Sequence, residues 1–336
     1  MRSRKPEPHW RTASASAALA AALAVALAVA LALAACADPA PEPSASEPSE
    51  PTGFEEIGLP APFADALDRA GIDARALDRS GESWAIAEVR SDSGSFLIQW
   101  ADLSAVEVSQ RLGRVTDAGP PGFFHPTAPS PSFALLDPAE VVRQSWDGGA
   151  LAVINGAFFE TPGQPSSQIA FPLAVGGAVV TGGSSPYGPG RPGARGRRWG
   201  QPLRALGLDT LADGGPRVAE YDRQSGAPLG QPGFRSAVVS YAPDAHPTRI
   251  AARFHVLGVV DGATDALVVV TSDGRTRIGA AASLASRLGA APARQVALDG
   301  GASVLVWTPR AGTLHQPVPI RGRPQPLPHF LVFRLR

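Results

Sequence analysis

The chain of 336 residues has one cysteine, Cys36, and that scarcity excludes an intrachain disulfide. Lysine is equally rare, with Lys5 the only one, so the basic charge is carried by arginine. The abundance of alanine, glycine and proline beside it reads as the codon bias of a GC-rich bacterium, not as a functional signal. No excess of positive charge points to nucleic acid: 30 basic residues balance 30 acidic ones, and setting aside Arg2, Arg4, Lys5, Arg11 and Glu7 of the first thirty-five positions leaves 26 against 29. The six histidines form no i, i+4 pair, which argues against a zincin site. A Gly-x-Ser-x-Gly elbow and a Walker loop are also missing, so serine hydrolysis and nucleotide binding are poor alternatives, and no metal or cofactor is expected.

What is there begins with a targeting pattern. Arg2, Arg4, Lys5 and Arg11 precede an apolar run over residues 17–32, which ends in Leu33-Ala34-Ala35-Cys36, the spacing of a bacterial lipobox. Small residues give a peptidase access to the backbone, and the Cys36 thiol can carry a diacylglyceryl group, whose two chains are the number stable anchoring takes. Residues 1–35 are thus expected to be a lipoprotein signal peptide and Cys36 the lipidation site. The mature protein is expected in the bacterial cell envelope, lipid-anchored on the outer side of the cytoplasmic membrane or in the periplasm. Residues 36–53, rich in Pro, Ser, Glu and Ala, have almost nothing to bury and read as a disordered tether.

Residues 54–94 read as an N-terminal extension, with helical patterns over 63–70 and 74–77 and a β-like run from Trp84. Asp137-Pro138-Ala139-Glu140 has the cap, the proline and the glutamate of a helix start, and that helix feeds the strand ending at Asn155. Leu267-Val268-Val269-Val270 reads as a buried strand, residues 280–288 as a helix ended by Gly289, and Gln295-Val296-Ala297-Leu298 as a strand leading to Asp299. A last strand follows Pro328. His255, between Phe254 and Val256, reads as a strand residue satisfied inside the fold. The alternation predicts an α+β fold, a mixed β-sheet core with flanking helices, in a single main domain over residues 95–336.

Two segments stand out. Asn155-Gly156-Ala157-Phe158-Phe159 and, 144 positions later, Asp299-Gly300-Gly301-Ala302-Ser303 each follow an apolar strand-like run. Taken singly, Asn-Gly and Asp-Gly-Gly are turn signals. Their conjunction, with two aromatics after the first and a serine and the run Val304-Leu305-Val306-Trp307 after the second, points to a site built on strand ends.

With Arg235-Ser236-Ala237 between them, the two segments resemble the phosphodiester glycosidase family, the group of the uncovering enzyme that removes N-acetylglucosamine from a phosphodiester-linked mannose. Its members carry Asn-Gly-Gly-Phe-Phe, an Arg-Thr-Ala-like step and Asp-Gly-Gly-Gly-Ser, so Ala157 and Ala302 stand where glycine is usual. The resemblance covers residues 95–336 and implies glycosidic C–O cleavage of a sugar phosphodiester in surface or extracellular glycans such as exopolysaccharide. It places Asp299 on the anomeric side as base or nucleophile and Arg235 on the phosphate. Asn155 and Ser303 would orient the substrate, and Gly156, Gly300 and Gly301 would let backbone N–H groups approach it. Phe158 and Phe159 would offer a sugar-stacking face or pack into the core. The alternative is a non-catalytic glycan-binding lipoprotein using the same cleft. Arg191, Arg195, Arg197 and Arg198, in a Gly- and Pro-rich loop, read as solvated, although such a cluster also attracts anions. The expected partners are a glycan or sugar phosphate and a membrane reached through Cys36, with no nucleic acid.

Overall fold

The computed structural model describes residues 57–92, 94–119, 130–159, 166–180, 202–209, 217–222, 225–245, 251–260, 265–320 and 322–336. The expected signal peptide, the expected tether with Cys36 and the arginines of 181–200 lie outside them.

Two antiparallel sheets lie face to face. The path of the larger runs Ala74–Ser80, Trp84–Ser91, Gly94–Asp102, Ala266–Ser272, His255–Val260, Gln295–Leu298, Ala237–Tyr241, Leu203–Gly207, Val218–Glu220, with Leu173–Val175 also paired to Ala237–Tyr241. The smaller runs Gly312–His315, Val306–Thr308, Ala150–Asn155, His329–Leu335, Val106–Leu112.

The two-residue period of a strand decides which side chains meet. Ile86, Leu97, Leu257, Val269, Val296 and Leu298 of the large sheet share one buried cluster with Ala152, Ile154, Val306, Leu331 and Phe333 of the small one. The alternate residues Ala87, Ile98, Val256, Val268 and Ala297 join a second cluster with Phe63 and Leu67 of the helix Ala61–Ala70 and Ile278, Ala281 and Leu284 of the helix Ile278–Arg287. Val153, Phe330 and Val332, from the other face of the small sheet, pack with Val141 of the helix Pro138–Asp147. Each fully buried aliphatic or aromatic side chain is worth about 1.5–3 kcal/mol, so these runs hold the sheets together.

The expected α+β class with a mixed, helix-flanked core is overturned. Every strand pairing among the described residues is antiparallel. Strands dominate, and the three α-helices among the described residues are only 10 residues each. A strand, a helix and a second strand in succession do not by themselves make a mixed sheet. In the fold Ala266–Ser272 and Gln295–Leu298 are separated by His255–Val260, which pairs antiparallel with both.

Residues 74–77 are also corrected, from helix to strand. Arg75 sits opposite Glu88 and is ion-paired with it at 2.7 Å, so an available strand partner outweighs the helix propensity of Ala, Arg and Leu. The strands Ala74–Ser80 and Trp84–Ser91 belong to the large sheet. At the helix Pro138–Asp147 the expected start is present: Asp137 Oδ1 accepts from Ala139 N–H at 2.9 Å, with Pro138 at the first position. Gly289 takes φ 102° just beyond the helix Ile278–Arg287.

Candidate functional site

Asn155 ends a strand of the small sheet and Asp299 follows a strand of the large one, and the two motifs meet. Asp299 N–H donates to Gly156 O at 3.0 Å, and Asn155 Nδ2 donates to Asp299 O at 2.9 Å. Both polar atoms of the Asn155 amide are bonded inside the protein. Its Oδ1 accepts from Leu305 N–H at 2.8 Å and from the His255 ring at 2.7 Å.

That arrangement settles the tautomer of His255. An amide oxygen only accepts, so Nε2 carries the proton, and Nδ1 accepts from the Thr271 hydroxyl at 2.8 Å. Thr271 lies opposite His255 in the strand pair. Burial, with a smaller push from His315, lowers the His255 pKa to about 3 and keeps the ring neutral. His255 is therefore satisfied inside the fold, as its sequence context suggested, but as part of a Thr271–His255–Asn155 chain ending on the Asp299 backbone.

Asp299 as a residue is 9% exposed and its carboxyl is buried. Burial raises its pKa to about 7 against the weaker opposing pull of hydrogen bonds from the Ser303 hydroxyl and the Gly300 N–H. Its Oδ2 has no hydrogen-bond partner. A carboxylate with one free oxygen and a pKa near neutrality is suited to proton transfer or to attack on an electrophilic carbon.

The glycines act sterically. A Cβ on Gly156 would lie 2.1 Å from His329 Nδ1, and one on Gly300 would lie 2.4 Å from Arg253 O. Gly301 takes φ +67°, and a Cβ there would meet nothing within 4 Å, so the motif faces open space at this point. Ala302 is the middle residue of the short 3₁₀ turn Gly301–Ser303, a helical backbone that tolerates its methyl group.

His329 was not singled out by its sequence context. Its Nδ1 accepts from Ala157 N–H at 2.9 Å and its backbone O accepts from Gly156 N–H at 3.1 Å, so one buried residue fixes the turn that receives Asp299. Burial lowers its pKa to about 3. The pairing of strands brings His329 and Thr271 to the two motifs, and a backbone bond from Gly301 N–H to Arg253 O, just before the strand His255–Val260, brings Arg253.

Phe158 and Phe159 part company. Phe158 is half-buried and makes edge-to-face contacts with Phe171 at 5.9 Å and Tyr241 at 5.6 Å. Phe159 packs with the small-sheet cluster of Val153 and Phe330. Arg235 is not brought into hydrogen bonding with Asp299. Its backbone N–H and that of Ser236 donate to Asp209 at 2.6 and 2.7 Å, while its exposed side chain lies beside Gly177.

No family model and no curated protein sequence matches the chain. Among solved structures it is similar to the zebrafish N-acetylglucosamine-1-phosphodiester alpha-N-acetylglucosaminidase catalytic domain, auto-inhibited by its pro-peptide. The TM-score is 0.40 and the identity 15%, over 79% of this chain and 88% of that one. A hypothetical protein from Synechocystis gives TM-score 0.37 and 13% identity over 79% and 64%; the shares are 74% and 74% for a putative exported protein from Burkholderia pseudomallei, at TM-score 0.39 and 12% identity. At these scores the likenesses carry no functional argument, which rests instead on the geometry of the site.

Proposed function

We propose that the protein is a lipid-anchored glycosidase of the cell envelope that hydrolyses a sugar phosphodiester in surface or extracellular glycans by breaking the glycosidic C–O bond. The observation that carries this reading is Asp299, a buried carboxyl raised to about 7, with Oδ2 unpartnered and Gly301 open beside it. A phosphate monoester, with a second pKa of about 6, leaves with little help from an acid. One carboxylate on the sugar side then suffices, as base toward water or as nucleophile, to stabilise an oxocarbenium-like transition state. Ser303 holds the carboxylate and Asn155 holds the backbone behind it. Asn155, buried and with both its amide oxygen and its amide nitrogen bonded inside the protein, acts as a positioning residue.

Hydrolysis in isotopically labelled water tests this. Label is expected on the released sugar, and Asp299→Asn is expected to abolish turnover with the fold intact. Label in the phosphate product would establish P–O cleavage and overturn the assignment. Glycan binding by the native protein without turnover would support the non-catalytic reading instead.

A further inference from the structure

Arg75, Arg253 and Arg275 stand at the end of the large sheet that carries Asp299, because Leu298 and Thr271 are both opposite His255 and Leu97 is opposite both Thr271 and Glu88. Arg75 is ion-paired with Glu88 at 2.7 Å. Among the described residues neither Arg253 nor Arg275 has an ion-pair partner. Asp273, beside them, is occupied with backbone: its Oδ2 accepts from Ser95 N–H at 3.1 Å and its Oδ1 from Arg275 N–H at 2.8 Å.

Arg253 is built into the Asp299 motif. Its carbonyl accepts from Gly301 N–H at 2.8 Å and is the atom that leaves no room for a Cβ on Gly300. The side chain passes over the Gly274 turn, with Cγ 3.3 Å from where a Gly274 Cβ would be, and Nη1 donates to Gln316 O at 3.3 Å. The guanidinium is close enough to His315 to add to the burial that lowers that ring's pKa to about 4. His315, Leu314, Asp273, Arg275, Arg75 and Glu88 border a cleft of about 320 Å³, which Arg253 adjoins through His315 without lining it. A guanidinium presents a planar fork that matches phosphate or carboxylate oxygens in pairs.

We propose that Arg253, assisted by Arg275, binds the acidic group of the substrate, a phosphate or a sugar carboxylate, and so holds the adjoining sugar at Asp299. The inference rests on Asp299 being the reactive group, and it assigns the anion to Arg253 instead of Arg235.

Isothermal titration of inorganic phosphate and of glucuronate into the full chain separates the two anion sources without requiring turnover. At least one anion is expected to bind the native protein, with a loss of tenfold or more in Arg253→Met, partial recovery in Arg253→Lys and a loss of threefold or more in Arg275→Met. Arg275→Met carries the test if Arg253→Met does not fold. Failure of both anions to bind, native affinity in Arg253→Met, or a larger loss in Arg235→Met would overturn the proposal. Anion binding through Arg253 in a protein without turnover would sink the glycosidase reading alone. Turnover of a phosphodiester with a KM indifferent to Arg253 would sink this proposal alone.

Discussion

At the scale of single residues, Asp299 sets function against stability. Its folded-state pKa, about 7, lies above the ordinary 3.8, so between those values the folded protein binds more protons than the unfolded chain. Stability from this group is therefore fully present below about pH 4 and is lost as pH rises to about 7, a swing of at most about 4 kcal/mol. Asn does not ionise, so Asp299→Asn is expected to melt higher than the native protein at pH 8, with the difference shrinking toward pH 4. Thermal melts across that range check the sign, and equal melting temperatures at pH 8 would mean that the carboxyl is not raised. Gly156→Ala tests the packing beside it. The added methyl has no place next to His329 Nδ1, and we expect a loss of about 1–3 kcal/mol in urea unfolding, together with turnover, because the turn that receives Asp299 N–H must move.

At the scale of elements, the strands before residue 94 are part of the body of the sheet. Trp84 and Ile86 reach the inter-sheet cluster, while Ala85 and Ala87 lie in the cluster on the opposite face. A chain starting at Gly94 would lose those contacts and bare the Gly94–Asp102 edge, so it is expected to be insoluble or to lack a cooperative unfolding transition, whereas one starting at Gly53 should fold. Circular dichroism of both chains checks this. The elements that carry the two motifs were legible in the sequence, because the apolar runs Leu151–Ile154 and Gln295–Leu298 are short, continuous and ended by turn residues. The helix at Pro138 was legible from its cap. Residues 74–77 were not, since Ala, Arg and Leu favour a helix until a neighbouring strand offers hydrogen bonds. Nor was the sheet order, because a helix between two strands does not reveal that the strand before them, His255–Val260, lies between the two and pairs with both. His255 could be read as buried, but its bond to Asn155 depends on how two sheets face each other across 100 residues of sequence.

At the scale of the whole molecule, the proposed anchor and the proposed chemistry can be separated. Cys36→Ser is expected to move the protein from the detergent phase to the aqueous phase while the released chain keeps its turnover in solution, since no described site residue lies near position 36 in sequence. Phase partitioning with a parallel activity assay checks both parts, and wild-type protein recovered with an unmodified Cys36 would remove the anchor. The meeting of Asn155 and Asp299 across the two sheets reaches beyond any one of these tests. The carboxyl that carries the proposed chemistry follows a strand of one layer, while Asn155 and His329, which hold the backbone around it, belong to the other, so a slip of one layer against the other is expected to be felt as lost turnover before the fold melts.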